Sequence, residues 1–270
     1  MRSLIAFWLL AVAVTAATGS VIALSGQGGV VGGVRVSSGA FHLPFPVFIT
    51  LVVVSAFGPA IAAVAVTAWD AGLHGVRALF GQLLRWRAGV VWYVLALGGP
   101  AVFTLLATLI WAAGTGHQPA HWFQLAAGFQ LISLPIGPWG EEIGWRGFAQ
   151  QRLQARLQWP LASLVVGVMW FGWHQWTFLT PVVPALNLVA LGTFFVHIVS
   201  AAVWIGWVYN GGGQRLPLGW AGHAGLNLVG PSSAPFGLVA AIFAATAVLA
   251  VLIGGRQGRR SPAAVERTAT

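Results

Sequence analysis

In 270 residues the chain carries 58% hydrophobic side chains and only 6% charged ones, at a mean hydropathy of +0.83, where soluble domains carry about 25% charged residues. This excludes a soluble globular domain, and the absence of cysteine excludes a disulfide framework, a thiol nucleophile and a Cys-ligated metal. The net charge of +9 comes from thirteen arginines and no lysine. These lie in the breaks between apolar runs, so they report orientation in a lipid bilayer rather than a nucleic-acid surface.

The expected fold class is therefore all-α, a polytopic membrane helix bundle. Leu4 to Leu24 is an apolar run long enough to span. Because it follows Met1-Arg2-Ser3, a secretory signal peptide is the competing reading, disfavoured by the length of the run and the lack of a clear cleavage site. A Gly-rich link from Gly26 to Gly39 follows, then a second span from Val47 to Trp69. Gly58-Pro59 interrupts that span, a kink tolerable where a neighbouring helix satisfies the freed carbonyl. After a basic loop with Arg77, Arg85 and Arg87, Gly89 to Ala113 forms a third span. From Trp122 the chain is apolar again, so a helix is expected to run into Pro135-Ile136-Gly137-Pro138, break there and restart near Pro138, a residue suited to a first helical turn. The restarted segment leaves through Gln150, Gln151, Arg152 and Arg156, a polar exit. Pro160 to Leu179 and Ala185 to Tyr209 are further spans, Leu216 to Val229 is a span, half-span or re-entrant piece, and Phe236 to Ile253 is the last.

Eight spans with both termini cytoplasmic place eleven arginines inside and only Arg35 outside, with Arg146 in the membrane; the opposite orientation inverts the bias. The chain thus reads as one transmembrane domain, residues 1–254, with a motif-bearing core at 122–230 and a disordered Arg-rich cytoplasmic tail at 255–270. The plasma membrane is the expected location.

Only four residues are acidic, Asp70, Glu141, Glu142 and Glu266. Two of them are adjacent in Trp139-Gly140-Glu141-Glu142-Ile143-Gly144-Trp145-Arg146. A charge at a bilayer centre costs roughly 2.5 to 3.5 kcal/mol on insertion scales, so three together mark a functional site. Glu142 and Arg146 are spaced i,i+4 and share a face, which favours an intrahelical ion pair. Glu141 lies about 100° round the helix, free to face a cavity. The plain alternative is a structural charge cluster, but that leaves Glu141 without a dedicated partner. Two intramembrane histidines follow: His174, after Trp170-Phe171-Gly172-Trp173, and His223, in register with Asn227. A third, His197, reads as a core residue bonded to a neighbouring carbonyl. The fifteen tryptophans mostly sit near span ends or in the motif helices, so an aromatic belt explains many of them.

Glu141-Glu142-x-x-x-Arg146, then an aromatic residue four before His174, then His223-x-x-x-Asn227, in this order, resemble the three motifs of the CAAX protease and bacteriocin-processing (Abi) family of intramembrane endopeptidases. The resemblance spans roughly Trp122 to Gly230. It implies that Glu141 activates a water for attack on a peptide carbonyl, and that His174 and His223 hold that water or a divalent metal such as zinc, with Glu141 as the third ligand. It also implies that Asn227 donates to the oxyanion, a contact worth roughly 3 to 4 kcal/mol elsewhere, and that Glu142 and Arg146 support the helix. The implied partner is a protein or peptide substrate, in the prenyl-protease branch one lipidated at its C terminus. Where the family has phenylalanine this chain has Trp170, a change expected to affect packing more than chemistry.

Other protease chemistries fail on composition. A single aspartate, Asp70, rules out an aspartyl dyad, and neither G-x-S-x-G nor H-E-x-x-H occurs. The rival reading from another class is a non-catalytic protein of the same fold, with a bacteriocin-immunity or binding role, or a cation or proton carrier.

Overall fold

The computed structural model describes residues 1–25, 30–31, 34–35, 41–127, 131, 134–176 and 187–254. Most of the Gly-rich link, the chain after Trp176 where one expected span ends and the next begins, and the Arg-rich tail lie outside the described residues. Ten helices are labelled here in chain order: α1 (Arg2–Ser25), α2 (Phe45–Ala56), α3 (Gly58–Gly81), α4 (Val90–Thr115), α5 (Gly137–Gly144), α6 (Gln151–Gln154), α7 (Trp159–His174), α8 (Leu188–Gly211), α9 (Leu216–Leu228) and α10 (Phe236–Gly254). A 3-10 turn, Gln82–Leu84, ends α3, and a π-helical turn, Trp145–Gln150, joins α5 to α6. A two-residue antiparallel ladder pairs Val30–Val31 with Val34–Arg35.

Among the described residues, α1, α4, α8 and α10 are each long and apolar enough to cross a membrane, and α2 with α3 makes a fifth span if that bent pair is counted as one. The two helices meet at 62°. Pro59 has no N–H to give to the carbonyl four residues back, Ser55. The Thr15 hydroxyl of α1 donates to that carbonyl at 2.9 Å, so the kink is satisfied by a neighbouring helix as expected. Thr15 in turn accepts from the Trp173 indole at 3.1 Å, which ties α1, α2 and α7 into one hydrogen-bonded chain. A second break falls at Gly72, whose φ of 60° and ψ of −160° suit glycine because it has no Cβ.

In a bilayer, helices associate through close packing rather than water exclusion, so small residues mark the contacts. Along α1 the buried positions Phe7, Ala11, Thr15 and Gly19 recur every four residues, giving the stripe that lies on α2 and α3. α8 runs through the middle of the bundle against both α7 and α10 and is buried almost continuously from Ile198 to Asn210. Gly167 of α7 comes so close to α8 that a Cβ there would stand 2.9 Å from the Val199 Cα. Pro100 likewise opens α4 at the Ala96 carbonyl. Gly225 of α9 packs against that oxygen, 2.6 Å from where a Cβ would stand.

α5 is seated by a Gly-x-x-x-Gly face. A Cβ at Gly140 would stand 2.8 Å from the Ala56 carbonyl oxygen, and one at Gly144 2.7 Å from that of Pro59. The acidic helix therefore sits directly on the α2–α3 kink. Gly144→Ala is expected to destabilise the fold by about 1 to 3 kcal/mol through overpacking against backbone that cannot yield; chemical unfolding in detergent micelles measures it.

One sequence expectation is corrected here. Residues 122–127 form no helix. Their backbone pairs with the chain after α9: Gln124 N–H donates to Pro231 O (3.0 Å), Ala126 N–H to Leu228 O (2.8 Å) and Gly230 N–H to Gln124 O (2.8 Å). Apolar content alone suggested a helix, but the backbone hydrogen bonds of this stretch are satisfied across the bundle rather than locally. The restart near Pro138 is as expected, with α5 beginning at Gly137 and proline in its first turn.

Candidate active site

α5 carries two glutamates that differ by one residue and by environment. Glu142 is fully buried, and Arg146, also fully buried, donates from Nη1 to its Oε1 at 2.7 Å. The expected intrahelical pair is present, and it holds although the backbone widens into the π turn at Trp145. Such insertions recur at functional sites because they re-aim side chains without ending the helix. Here the turn leaves the Gly147 carbonyl to accept from Gln82 Nε2 at 3.2 Å. Arg146 also reaches α8, donating from Nη2 to the Ala202 carbonyl at 3.3 Å.

His223 of α9 stands over both carboxylates. Its Nδ1 is 3.0 Å from Glu142 Oε1 and its Nε2 is 3.8 Å from Glu141 Oε1. A carboxylate already engaged by an arginine accepts rather than donates, so Nδ1 carries the proton on that bond. In the neutral ring Nε2 is then an acceptor, and 3.8 Å leaves no direct hydrogen bond to Glu141. α9 can come this close because residue 219 is glycine: a Cβ there would stand 2.8 Å from Glu142 Oε2.

Glu141 faces differently, with 15% of its side chain exposed against none for Glu142. The sequence reading leaves it without a dedicated partner, but the structure supplies one: the Trp170 indole Nε1–H donates to its Oε2 at 2.6 Å. Trp170 is only 2% exposed. Its ring meets the His223 ring edge-on at 5.0 Å between centroids and carries the Arg146 guanidinium 5.6 Å from its centroid. Its carbonyl bonds His174 Nδ1 at 2.9 Å. Because a carbonyl only accepts, this fixes the His174 proton on Nδ1 and leaves Nε2 as the free nitrogen of the neutral ring. The His174 ring is held edge-on by Trp173 and Phe194, at 4.9 and 5.4 Å. Asn227, half-buried, follows His223 by one turn of α9.

The structure thus gathers Glu141, Glu142, Arg146 and His223 around Trp170, with His174 bonded to the Trp170 backbone one turn along α7. Among the described residues no three His, Asp or Glu side chains are grouped as a metal ion would need, and in both histidines Nδ1 is already committed.

Two further sequence expectations change, and one is refined. The polar exit keeps Gln151 and Arg156 exposed, but Gln150, with no exposure, turns inward and donates to Ser163 Oγ and Gln154 Oε1 (both 2.8 Å). Gln151 donates to Gln82 Oε1 (2.6 Å), and Gln154 to Asn210 Oδ1 (2.7 Å). The tryptophans of the motif helices are core rather than belt, with Trp145, Trp170 and Trp173 buried, and so is Trp204 of α8. His197 makes no bond to a carbonyl among the described residues. Its ring lies against Phe236 and Phe243, and its Nδ1 is buried without a partner beside a cavity of about 560 Å³ that Ser232 also lines.

Sequence reading also missed the seating of α5 by Gly140 and Gly144, although the Gly-x-x-x-Gly spacing is visible in the chain. Gly219 carries no comparable signal, since only the approach of α9 reveals its part.

Several long apolar helices packed around a buried carboxylate–histidine cluster fit an integral membrane protein with a polar site inside its helix bundle. Residues 123–229 match the family described as type II CAAX prenyl endopeptidase, Rce1-like, a family of proteases. The matched segment holds every candidate site residue named above and agrees with the motif resemblance. No curated relative matches the chain.

Proposed function

We propose that this protein is an intramembrane endopeptidase that hydrolyses peptide bonds with a glutamate-activated water, in a cavity open to the cytoplasm. The observation that carries the reading is the difference between the two adjacent glutamates. Glu142 is fully buried with its Oε1 engaged by both Arg146 and His223, while Glu141 is partly accessible and 3.8 Å from a second acceptor, His223 Nε2. A water placed between them donates one hydrogen to each. Its oxygen attacks the peptide carbonyl carbon as Glu141 takes the proton. Asn227 donates to the resulting oxyanion, and Glu141 passes the proton to the leaving nitrogen as the C–N bond breaks, yielding a carboxylic acid and an amine, with the second hydrogen of the water retained on the acid. His174 aids in holding the water, and Glu142 with Arg146 keeps His223 in the required tautomer. The eight-span topology with both termini cytoplasmic belongs to the same proposal and rests on the arginine distribution.

The residues do not fit a three-ligand zinc site in this arrangement, so the steps use side chains alone. Elemental analysis of the purified protein decides between this form and a zinc-assisted one with Glu141, His174 and His223 as ligands: stoichiometric zinc, lost with activity on chelation, establishes the latter.

The test compares membrane proteomes with the protein, without it, and with Glu141→Ala. C-terminally shortened products should appear only with the intact protein. Synthetic peptides with and without a C-terminal lipid then define the substrate class, with faster cleavage of the lipidated form expected. Ion flux in proteoliposomes without any shortened product would overturn the reading in favour of a carrier.

A further inference from the structure

Trp170 occupies the position at which the motif resemblance has phenylalanine, and among the described residues it is the aromatic whose N–H hydrogen-bonds the proposed base. Its Nε1–H lies 2.6 Å from Glu141 Oε2, a short, charge-assisted geometry. Phenylalanine offers no donor there. The ring itself is buried, with the Arg146 guanidinium and the His223 imidazole packed against it.

Glu141 is the partly accessible carboxylate of α5 and, among the described residues, takes one side-chain hydrogen bond, from Trp170; His223 stands too far for a direct bond. With Oε2 tied, rotation of the carboxylate is restricted and Oε1 is the oxygen directed at His223. We infer that the Trp170 indole N–H is a positioning group for Glu141, holding one carboxylate oxygen so that the other presents its lone pair to the attacking water. This rests on the function proposed above and adds a donor that the phenylalanine form of the motif lacks. Both catalytic carboxylate orientation and the His174 tautomer then depend on one residue, the first through its side chain and the second through its carbonyl.

The experiment places β-(3-benzothienyl)alanine at position 170 by site-specific incorporation. This analogue keeps the shape of tryptophan and replaces N–H by sulfur; 7-azatryptophan at the same position keeps the donor. Cleavage of a verified substrate is measured in detergent, with kcat and KM determined separately. The benzothienyl form is expected to lose roughly ten- to a hundredfold in kcat with KM within about twofold, since positioning of the base acts after binding. The azatryptophan form should retain kcat within about threefold, and Trp170→Phe should match the benzothienyl form. In a ¹⁵N-indole spectrum the Trp170 N–H resonance should move upfield on Glu141→Ala. Wild-type kcat in the benzothienyl form, or an unmoved resonance, overturns the inference. Glu141→Ala in the same assay separates the two failures: retained cleavage there overturns the proposed function, whereas its loss beside a fully active benzothienyl form overturns only the role of Trp170.

Discussion

Glu141→Ala is expected to lower cleavage by about a thousandfold while leaving the folded protein intact. The loss follows from removing a general base, a contribution of roughly 10² to 10⁴. The intact fold follows from the position of Glu141, which is partly exposed and, among the described residues, takes one side-chain hydrogen bond, from the Trp170 indole. Glu141→Gln should be nearly as inactive, because an amide keeps the shape and an acceptor for Trp170 but cannot take a proton. Single-turnover cleavage and chemical unfolding on the same preparations check both halves. Activity near wild type in either variant would remove Glu141 from the reaction.

Arg146→Met is expected to behave in the opposite sense, with stability falling by about 3 to 5 kcal/mol because Glu142 would be left as a buried, unpaired carboxylate. The Ala202 carbonyl would also lose a donor. The buried pair need not stabilise the fold relative to an apolar replacement, since the desolvation of two charges offsets much of their attraction. The double variant Glu142→Leu with Arg146→Met should therefore recover most of the stability. It should not recover activity, because His223 Nδ1 loses the carboxylate that sets its tautomer. Stability measured across the four members of this cycle, with cleavage measured in parallel, separates the structural from the functional part of the pair. A stable and active double variant would show that Glu142 has no function beyond holding Arg146.

The pair at Glu142 and Arg146 was legible because i,i+4 spacing on one helix is local geometry. So was the gathering of His223 toward the same cluster, since intramembrane polar residues on separate helices have few partners other than one another. The kink at Pro59 was legible for the same kind of reason, a missing N–H at a known position. Trp170 was not. Its place in the motif was visible, but whether its indole points to packing or to a carboxylate depends on the distance between α7 and α5. The amide chain from Gln150 through Gln154 to Asn210 was hidden similarly: glutamines at a helix end look solvated until a second helix covers them.

By itself the sequence determined that the chain is a membrane helix bundle, that two of its four acidic residues stand beside Arg146 between apolar runs, and that Glu142 belongs to Arg146, because composition, apolar length and helical spacing are properties of neighbours along the chain. The tertiary structure decided which glutamate is accessible, that Trp170 holds it, that glycines at 140, 144 and 219 permit the approach of three helices, and that residues 122–127 pair across the bundle instead of coiling. Those outcomes depend on separations between helices far apart in sequence, which no local period encodes.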